Sequence, residues 1–194
     1  MASTYTPLGV ELMVTGENAG TWGTKTNTNL NILEQIIGGY STKSIAGGAQ
    51  TTDLTVVDGN TTGTAQFRMI EFTGTITGNQ IVTIPLDIET FYFLRNSTSG
   101  AYTVQFKYAT GSGSSSTFTA TDKGDKLIIA TANDGTNPDI KEVSLASPPG
   151  GSNTQVQFNN SGSFGGSANL VWDGSNLNIG AQGDLRLQDS TGGE

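Results

Sequence analysis

The sequence predicts a mainly β protein with one helix near its N-terminus, a central β-sandwich or jelly-roll domain, and a closing series of very short strands. Three observations predict this. Gly, Thr, Ser and Asn supply nearly half of the 194 residues while only 13% are charged, a composition of strands and turns. Apolar and polar residues alternate with the strand period of two through the middle of the chain. Helical periodicity occurs convincingly only once.

That periodicity comes from Trp22, Thr26, Leu30, Leu33 and Ile37, which fall on one stripe of a helix, with Lys25, Asn27, Thr28, Asn31 and Gln35 opposite. Thr21 is the expected N-cap, and Gly38-Gly39 is an expected stop that tolerates a left-handed residue. A helix of about four turns is marginal alone in water, so the stripe needs a partner. Other copies, a groove on another protein, or its own β domain would serve. Ahead of the helix, Tyr5, Pro7, Leu8, Val10, Leu12 and Met13 are too few to make a core. The alternating Leu8, Val10 and Leu12 fit a strand added to a neighbour's sheet edge, or an ordinary first strand of the protein's own sheet. Residues 1–45 are thus expected to be a docking segment and helix.

Residues 46–147 are expected to hold the sandwich. Eight short strands are predicted at residues 54–57, 66–73, 80–84, 90–95, 102–108, 116–121, 126–131 and 140–145, the clearest alternating Tyr102, Val104, Phe106 and Tyr108 with polar residues. Turns fall at Asp58-Gly59-Asn60, Gly78-Asn79, Ser99-Gly100 and Asp134-Gly135. The expected core is Phe67, Ile70, Phe72, Val82, Ile84, Phe91, Phe93, Val104, Phe106, Leu127 and Ile129.

Two prolines and two glycines at Pro148-Pro149-Gly150-Gly151 break the ladder and set the start of a linker and shaft over residues 148–194. The strands expected there, at 155–158, 169–172, 176–179 and 184–187, hold too little apolar surface to fold alone. Three parallel copies could bury Phe158, Phe164, Leu170, Trp172, Leu177, Ile179, Leu185 and Leu187 around a shared axis.

Much chemistry is disfavoured by composition. The chain has no His and no Cys, which removes the commonest general base, the usual zinc ligands, thiol nucleophiles and disulfides. A net charge of −8 with only 9 Lys and Arg argues against nucleic acid. No apolar run approaches about 18 residues, so neither membrane insertion nor a secretion signal is indicated, and synthesis in the cytoplasm is expected. Asp134 to Asp139 and Asp173 to Asn176 have calcium-like spacing but no closing Glu, and read as turns. Asp87 and Glu89 read as solvated charges rather than a glycosidase pair. The glycine-rich stretch at 111–116 lacks the Lys of a phosphate loop. No catalytic residue, cofactor or metal site is expected.

Two stretches carry a resemblance. ENAGTWGTKTNTNLNILEQIIGGY (17–40) resembles a segment near the N-terminus of many tailed-phage virion proteins, especially those of marine cyanophages. GGSNTQVQFNNSGSFGGSANLVWDGSNLNIG (150–180), followed by GDLRLQDS (183–190), is similar to linker repeats in phage tail fibres. The resemblance implies the virion-attachment region of a tail fibre: a homotrimer docked on tail adaptor or nozzle proteins, ending in a trimeric fibre shaft. A distal part beyond Glu194 would then meet the host cell surface. The expected interface residues are Leu8, Val10, Leu12, Met13, Trp22, Leu30, Leu33, Ile37, Phe158 and Trp172. A carbohydrate-binding or depolymerase-associated tailspike module and a head-decoration fibre are the alternatives.

Overall fold

The structure is a computed structural model that describes residues 2–121, 123–144 and 149–180. The strand expected at 184–187, the 183–190 motif, and Leu145, Ser147 and Pro148 lie outside the described residues. The architecture is mainly β, with one α-helix and several sheets. The chain groups into two compact units, 1–143 and 144–194. The expected docking segment therefore shares a unit with the β domain.

The first unit opens with a small antiparallel hairpin of β1 (Thr4–Tyr5) and β2 (Glu11–Leu12), followed by helix α1 (Trp22–Gly38). Next come β3 (Tyr40–Ser44), β4 (Gln50–Asp53), β5 (Met69–Thr73), β6 (Gln80–Ile84), β7 (Thr90–Asn96) and β8 (Val104–Tyr108). The unit closes with β9 (Ser116–Phe118), β10 (Gly124–Ala130) and β11 (Ile140–Val143). Two sheets enclose one core, a five-stranded sheet in the order β11-β10-β7-β5-β3 and a four-stranded sheet in the order β4-β6-β8-β9.

The winding differs from that of a jelly roll built on antiparallel ladders. Strands β3, β5 and β7 are parallel neighbours in one sheet, and β4, β6 and β8 are parallel neighbours in the other. The chain crosses from sheet to sheet in successive coils, each stacked on the one before, and antiparallel β9, β10 and β11 finish the sheets. Gly78-Asn79 and Ser99-Gly100 are accordingly corners between sheets rather than hairpin turns. Parallel bridges Gly47↔Ile76 and Thr75↔Ser99 carry the stacking through those corners. Close stacking explains two of the glycines: a Cβ on Gly78 would lie 2.3 Å from the Ala49 nitrogen, and one on Gly100 2.2 Å from the Ile76 oxygen. Buried Gln80 reinforces the corner, its Nε2 donating to the carbonyls of Gly48 (2.7 Å) and Gly78 (2.8 Å).

Inside, Phe72 and Tyr92 of the larger sheet meet Phe106 of the smaller one at ring separations of 6.4 and 5.8 Å. Each such buried side chain stabilises the fold by about 1.5–3 kcal/mol. The Tyr92 hydroxyl donates to Ala65 O and the Tyr108 hydroxyl to Ile88 O, both at 2.7 Å, and burial pushes both phenols above their ordinary range. Ile70, Phe72, Val82, Ile84, Val104 and Phe106 are buried as expected. Five expected core residues are not: Phe91, Phe93 and Ile129 are exposed, Leu127 is half-buried, and half-buried Phe67 packs against the core from its margin, while Tyr92, Leu94, Ile128 and Ala130 face inward. Each strand holds an unbroken apolar run of four, Phe91 to Leu94 and Leu127 to Ala130, so alternation could not tell which phase faces the core.

Two further elements depart from expectation. The strand expected at 54–57 lies one segment earlier, as β4, and leaves Leu54 buried just past its end. Strand β3, not anticipated, follows the helix directly. The reason is Gly39, which leaves α1 in an extended conformation (φ −69°) rather than a left-handed one. Space requires it, because a Cβ there would sit 2.6 Å from Gln35 Cα. At the other end Thr21 makes no side-chain cap; its hydroxyl donates to Asn18 O at 3.2 Å.

The second unit is a three-stranded antiparallel sheet of β12 (Gln155–Asn160), β13 (Ser163–Trp172) and β14 (Leu177–Ile179). Strand β13 is much longer than the expected 169–172. Ser161 (φ 54°) and Gly162 (φ 89°) turn the first hairpin. None of the described residues in this unit is buried.

Candidate interaction surfaces

In the N-terminal segment, a single strand through Leu8, Val10 and Leu12 does not form. The chain reverses between Tyr5 and Glu11, Leu8 packs against the core of its own unit, and Gln66 Nε2 donates to Leu8 O at 2.9 Å. Val10 is half-buried. The hairpin is tied to α1 by a reciprocal pair: Glu11 N donates to Asn29 Oδ1 and Asn29 Nδ2 to Glu11 O, both at 2.9 Å. The buried Glu11 carboxylate accepts from Ser3 Oγ (2.8 Å) and Asn18 Nδ2 (3.1 Å), and Lys25 Nζ lies 3.1 Å from its other oxygen. The Ser3 hydroxyl first, then Lys25 and Asn18, hold this carboxyl below its ordinary range against the opposing effect of burial. Leu12 and Met13 remain exposed.

The helix rests on its own unit, though not through the expected stripe. Ile32 is 0% exposed, and Gln35 beside it donates through Nε2 to Thr61 O at 2.9 Å. The stripe itself faces away: Trp22 is 64% and Ile37 75% exposed, with Leu30 and Leu33 exposed between them. The helix therefore has two apolar sides, one covered within the chain and one uncovered.

A second uncovered apolar surface lies on the outside of the five-stranded sheet. Strand register aligns Tyr40, Met69, Phe93, Leu127 and Val143 in one row across all five strands. Phe91 and Ile129 pair in the same register beside that row, and Phe91 meets Phe93 edge-to-face at 6.3 Å. Phe91, Phe93, Leu127, Ile129 and Val143 line an open groove of about 680 Å³, with Glu89 and Thr131 among its polar neighbours. Tyr40 and Met69 join Phe93 in an adjoining groove of about 370 Å³. Tyr40 also shares a groove of about 930 Å³ with Leu30, Leu33 and Ile37 of the helix. The stripe and the sheet face are therefore continuous.

Polar groups frame this surface. Arg95 forms a two-pronged ion pair with Asp125 (2.7 and 2.8 Å), and both Tyr40 and Ser97 donate hydroxyl hydrogen bonds to Glu71. Those hydroxyls, Ser97 first, hold the Glu71 carboxyl below its usual range. The Arg68 guanidinium stands 4.1 Å from the centre of the Phe91 ring. In the groove the paired rings stand among aliphatic side chains, with few hydroxyl partners for a sugar stacked on them. The arrangement suits an apolar protein surface better than a carbohydrate.

In the second unit Phe158, Phe164, Trp172 and Leu177 are exposed. Asp173 there is a turn residue: its carboxylate accepts from the backbone nitrogens of Ser175 (2.9 Å) and Asn176 (2.7 Å) and from Asn178 Nδ2 (2.9 Å), which pulls its pKa down to about 2. Asp134 likewise caps its own turn through Thr136 and Asn137. Asp87 and Glu89 flank the buried Ile88 in the β6–β7 connection. Among the described residues no group of carboxylate, His or Cys side chains is placed to hold a metal, and no helix is long and apolar enough to cross a membrane.

Sequence reasoning missed the sheet face because it assigned Phe91, Phe93, Leu127 and Ile129 to the core. The available signal was the unbroken apolarity of Phe91-Tyr92-Phe93-Leu94 and Leu127-Ile128-Ile129, since a strand apolar on both faces needs cover on both. Comparison with protein-family models, with curated proteins and with solved structures finds no match.

Proposed function

We propose that this chain is the attachment region of a tailed-phage fibre, a non-catalytic virion protein that assembles as a homotrimer. On this reading it docks on adaptor or nozzle proteins of the tail and carries a distal host-recognition part. The observation that supports it most is the uncovered helix stripe of Trp22, Leu30, Leu33 and Ile37, within the segment that resembles phage virion proteins. Leaving four large apolar side chains in water is unfavourable, and oligomer packing or an adaptor groove removes that cost. The sandwich-like coil of two sheets then acts as a rigid body behind the docking site. The strands of 149–180, with Phe158 and Trp172 exposed, begin a shaft whose core is completed by other copies.

The test is immunogold electron microscopy on particles of a phage carrying this gene, using antibodies raised against the chain. Label on the tail is expected, and it should vanish from particles whose chain carries Trp22→Ser with Ile37→Ser. Label confined to the head would replace the tail reading with a head fibre, and absence of label would overturn the virion assignment.

A further inference from the structure

We infer that the outer face of the five-stranded sheet, continuous with the stripe of α1, is the surface through which copies of this chain meet. The inference rests on the homotrimer reading and deepens it by naming the contact.

The first argument is the contrast between the two sheets. Outward positions of the four-stranded sheet include Thr51, Asp53, Gln105, Lys107 and Thr117, polar residues suited to water, with half-buried Ile81 the one apolar residue among them. The five-stranded sheet instead presents the apolar row from Tyr40 to Val143, with Phe93 46% exposed near its centre. Water explains the first surface and not the second.

Area is the second argument. The apolar row across five strands about 4.8 Å apart covers about 24 Å by 7 Å, and Phe91 with Ile129 adds about 10 Å by 7 Å, roughly 240 Å² in all. A helix of 17 residues contributes a strip about 25 Å by 10 Å, roughly another 250 Å². The total, roughly 500 Å², lies in the upper part of the range of the largest apolar patch of a typical monomer, about 300–600 Å², a patch that is often functional. The neighbouring row of Thr42, Glu71, Arg95 and Asp125 supplies a polar rim that brings the face toward the share of about 800 Å² that each partner contributes to a stable interface.

Charge selects the occupant. The chain carries −8, yet the groups around this face nearly balance, with Arg68, Arg95 and Lys141 against Glu34, Glu71, Glu89 and Asp125. A strongly basic or acidic partner would find no field to complement here. Two copies meeting here bring near-neutral faces together and keep the acidic excess of each chain away from the contact. The Arg95–Asp125 pair already satisfies its own charges, so both groups can sit at an interface rim.

Absence of cysteine makes the test clean, because a single introduced thiol is the only one in the chain. Purified 194-residue Phe93→Cys and Gln105→Cys proteins, one on each outer face, are treated at low micromolar concentration with a short bismaleimide. Phe93→Cys should give covalent dimers in at least tenfold greater yield than Gln105→Cys. In parallel, Phe93→Glu with Ile129→Glu should reduce the sedimenting mass to one chain of 20.1 kDa while circular dichroism stays that of the parent. The cysteine readout stands even where the double variant misfolds. Equal cross-linking from both faces would overturn the inference, as would a folded double variant that keeps the parent mass; either leaves the homotrimer reading intact. A parent protein that sediments as a single chain at 100 µM would overturn the homotrimer reading itself, and this inference with it.

Discussion

Neighbouring residues of β7 are expected to respond in different ways to truncation. Leu94 is 1% exposed and stands opposite Ile70 of β5, with β10 on its other side. Ladders on both sides keep the site from collapsing, so Leu94→Ala should sit mid-range for such cavities, at about 3 kcal/mol. At about 3 °C per kcal/mol for a unit of this size, that is a fall in Tm of about 9 °C. Phe93, one residue away, is 46% exposed; losing its contact with Phe91 should cost about 1 kcal/mol or less. Its larger contribution lies between copies, and that part depends on concentration. Urea unfolding followed by circular dichroism at two protein concentrations a hundredfold apart separates the two. Leu94→Ala should lower the midpoint at both. Phe93→Ala should fall well below the parent only at the higher concentration, with the slope unchanged. If Phe93→Ala cost as much as Leu94→Ala at both concentrations, the assignment of the two faces of β7 would be refuted.

Two other outcomes follow from the same structure. Gly100 holds φ +103° and a Cβ there would meet the Ile76 oxygen, so Gly100→Ala should destabilise by at least about 2 kcal/mol; Gly135→Ala, where nothing lies within 4 Å, serves as the control. Equal melting of these two variants would contradict the stacked corners. The second concerns the Glu11 clasp, whose carboxyl is held below its unfolded value of about 4.3. Its contribution is fully present above that unfolded value and is lost as pH falls through the lower folded one. Hydrogen exchange in the 3–12 hairpin should therefore be slow at pH 7 and 5 and accelerate, after correction for intrinsic rates, below about pH 4. Glu11→Gln should weaken that dependence, leaving the contribution of Glu17, which also accepts from Ser3 N and Oγ, and protection unchanged down to pH 3 in the parent would count against the clasp.

Much of the chain was legible because local rules and tertiary context agreed. The helix periodicity of Trp22 to Ile37 places α1 at 22–38, and alternation through Val104, Phe106 and Tyr108 places β8 with its inward face correct. Legibility failed where a residue's neighbour lies far along the chain. Nothing near Gly78 or Gly100 in sequence says that their partners are Ala49 and Ile76, so the corners of a stacked coil read only as turns between strands. β3 was hidden because Tyr40-Ser41-Thr42-Lys43-Ser44 has little apolar content, and its pairing comes from a parallel ladder to β5. The role of Glu11 was equally illegible, since the carboxylate gathers Ser3, Asn18 and Lys25 from both sides of a turn. The exposed stripe was readable as apolar and in want of a partner; the sheet face was readable only as excess apolarity in β7 and β10.

One copy of the chain leaves apolar surfaces uncovered among its described residues. Sedimentation equilibrium of the 194-residue chain is the direct test of whether other copies cover them. The account predicts a mass near three times 20.1 kDa that dissociates on dilution or on charge substitution at Phe93 and Ile129. A single species of 20.1 kDa at every concentration, with the helix stripe and the sheet face still open to water, would contradict it.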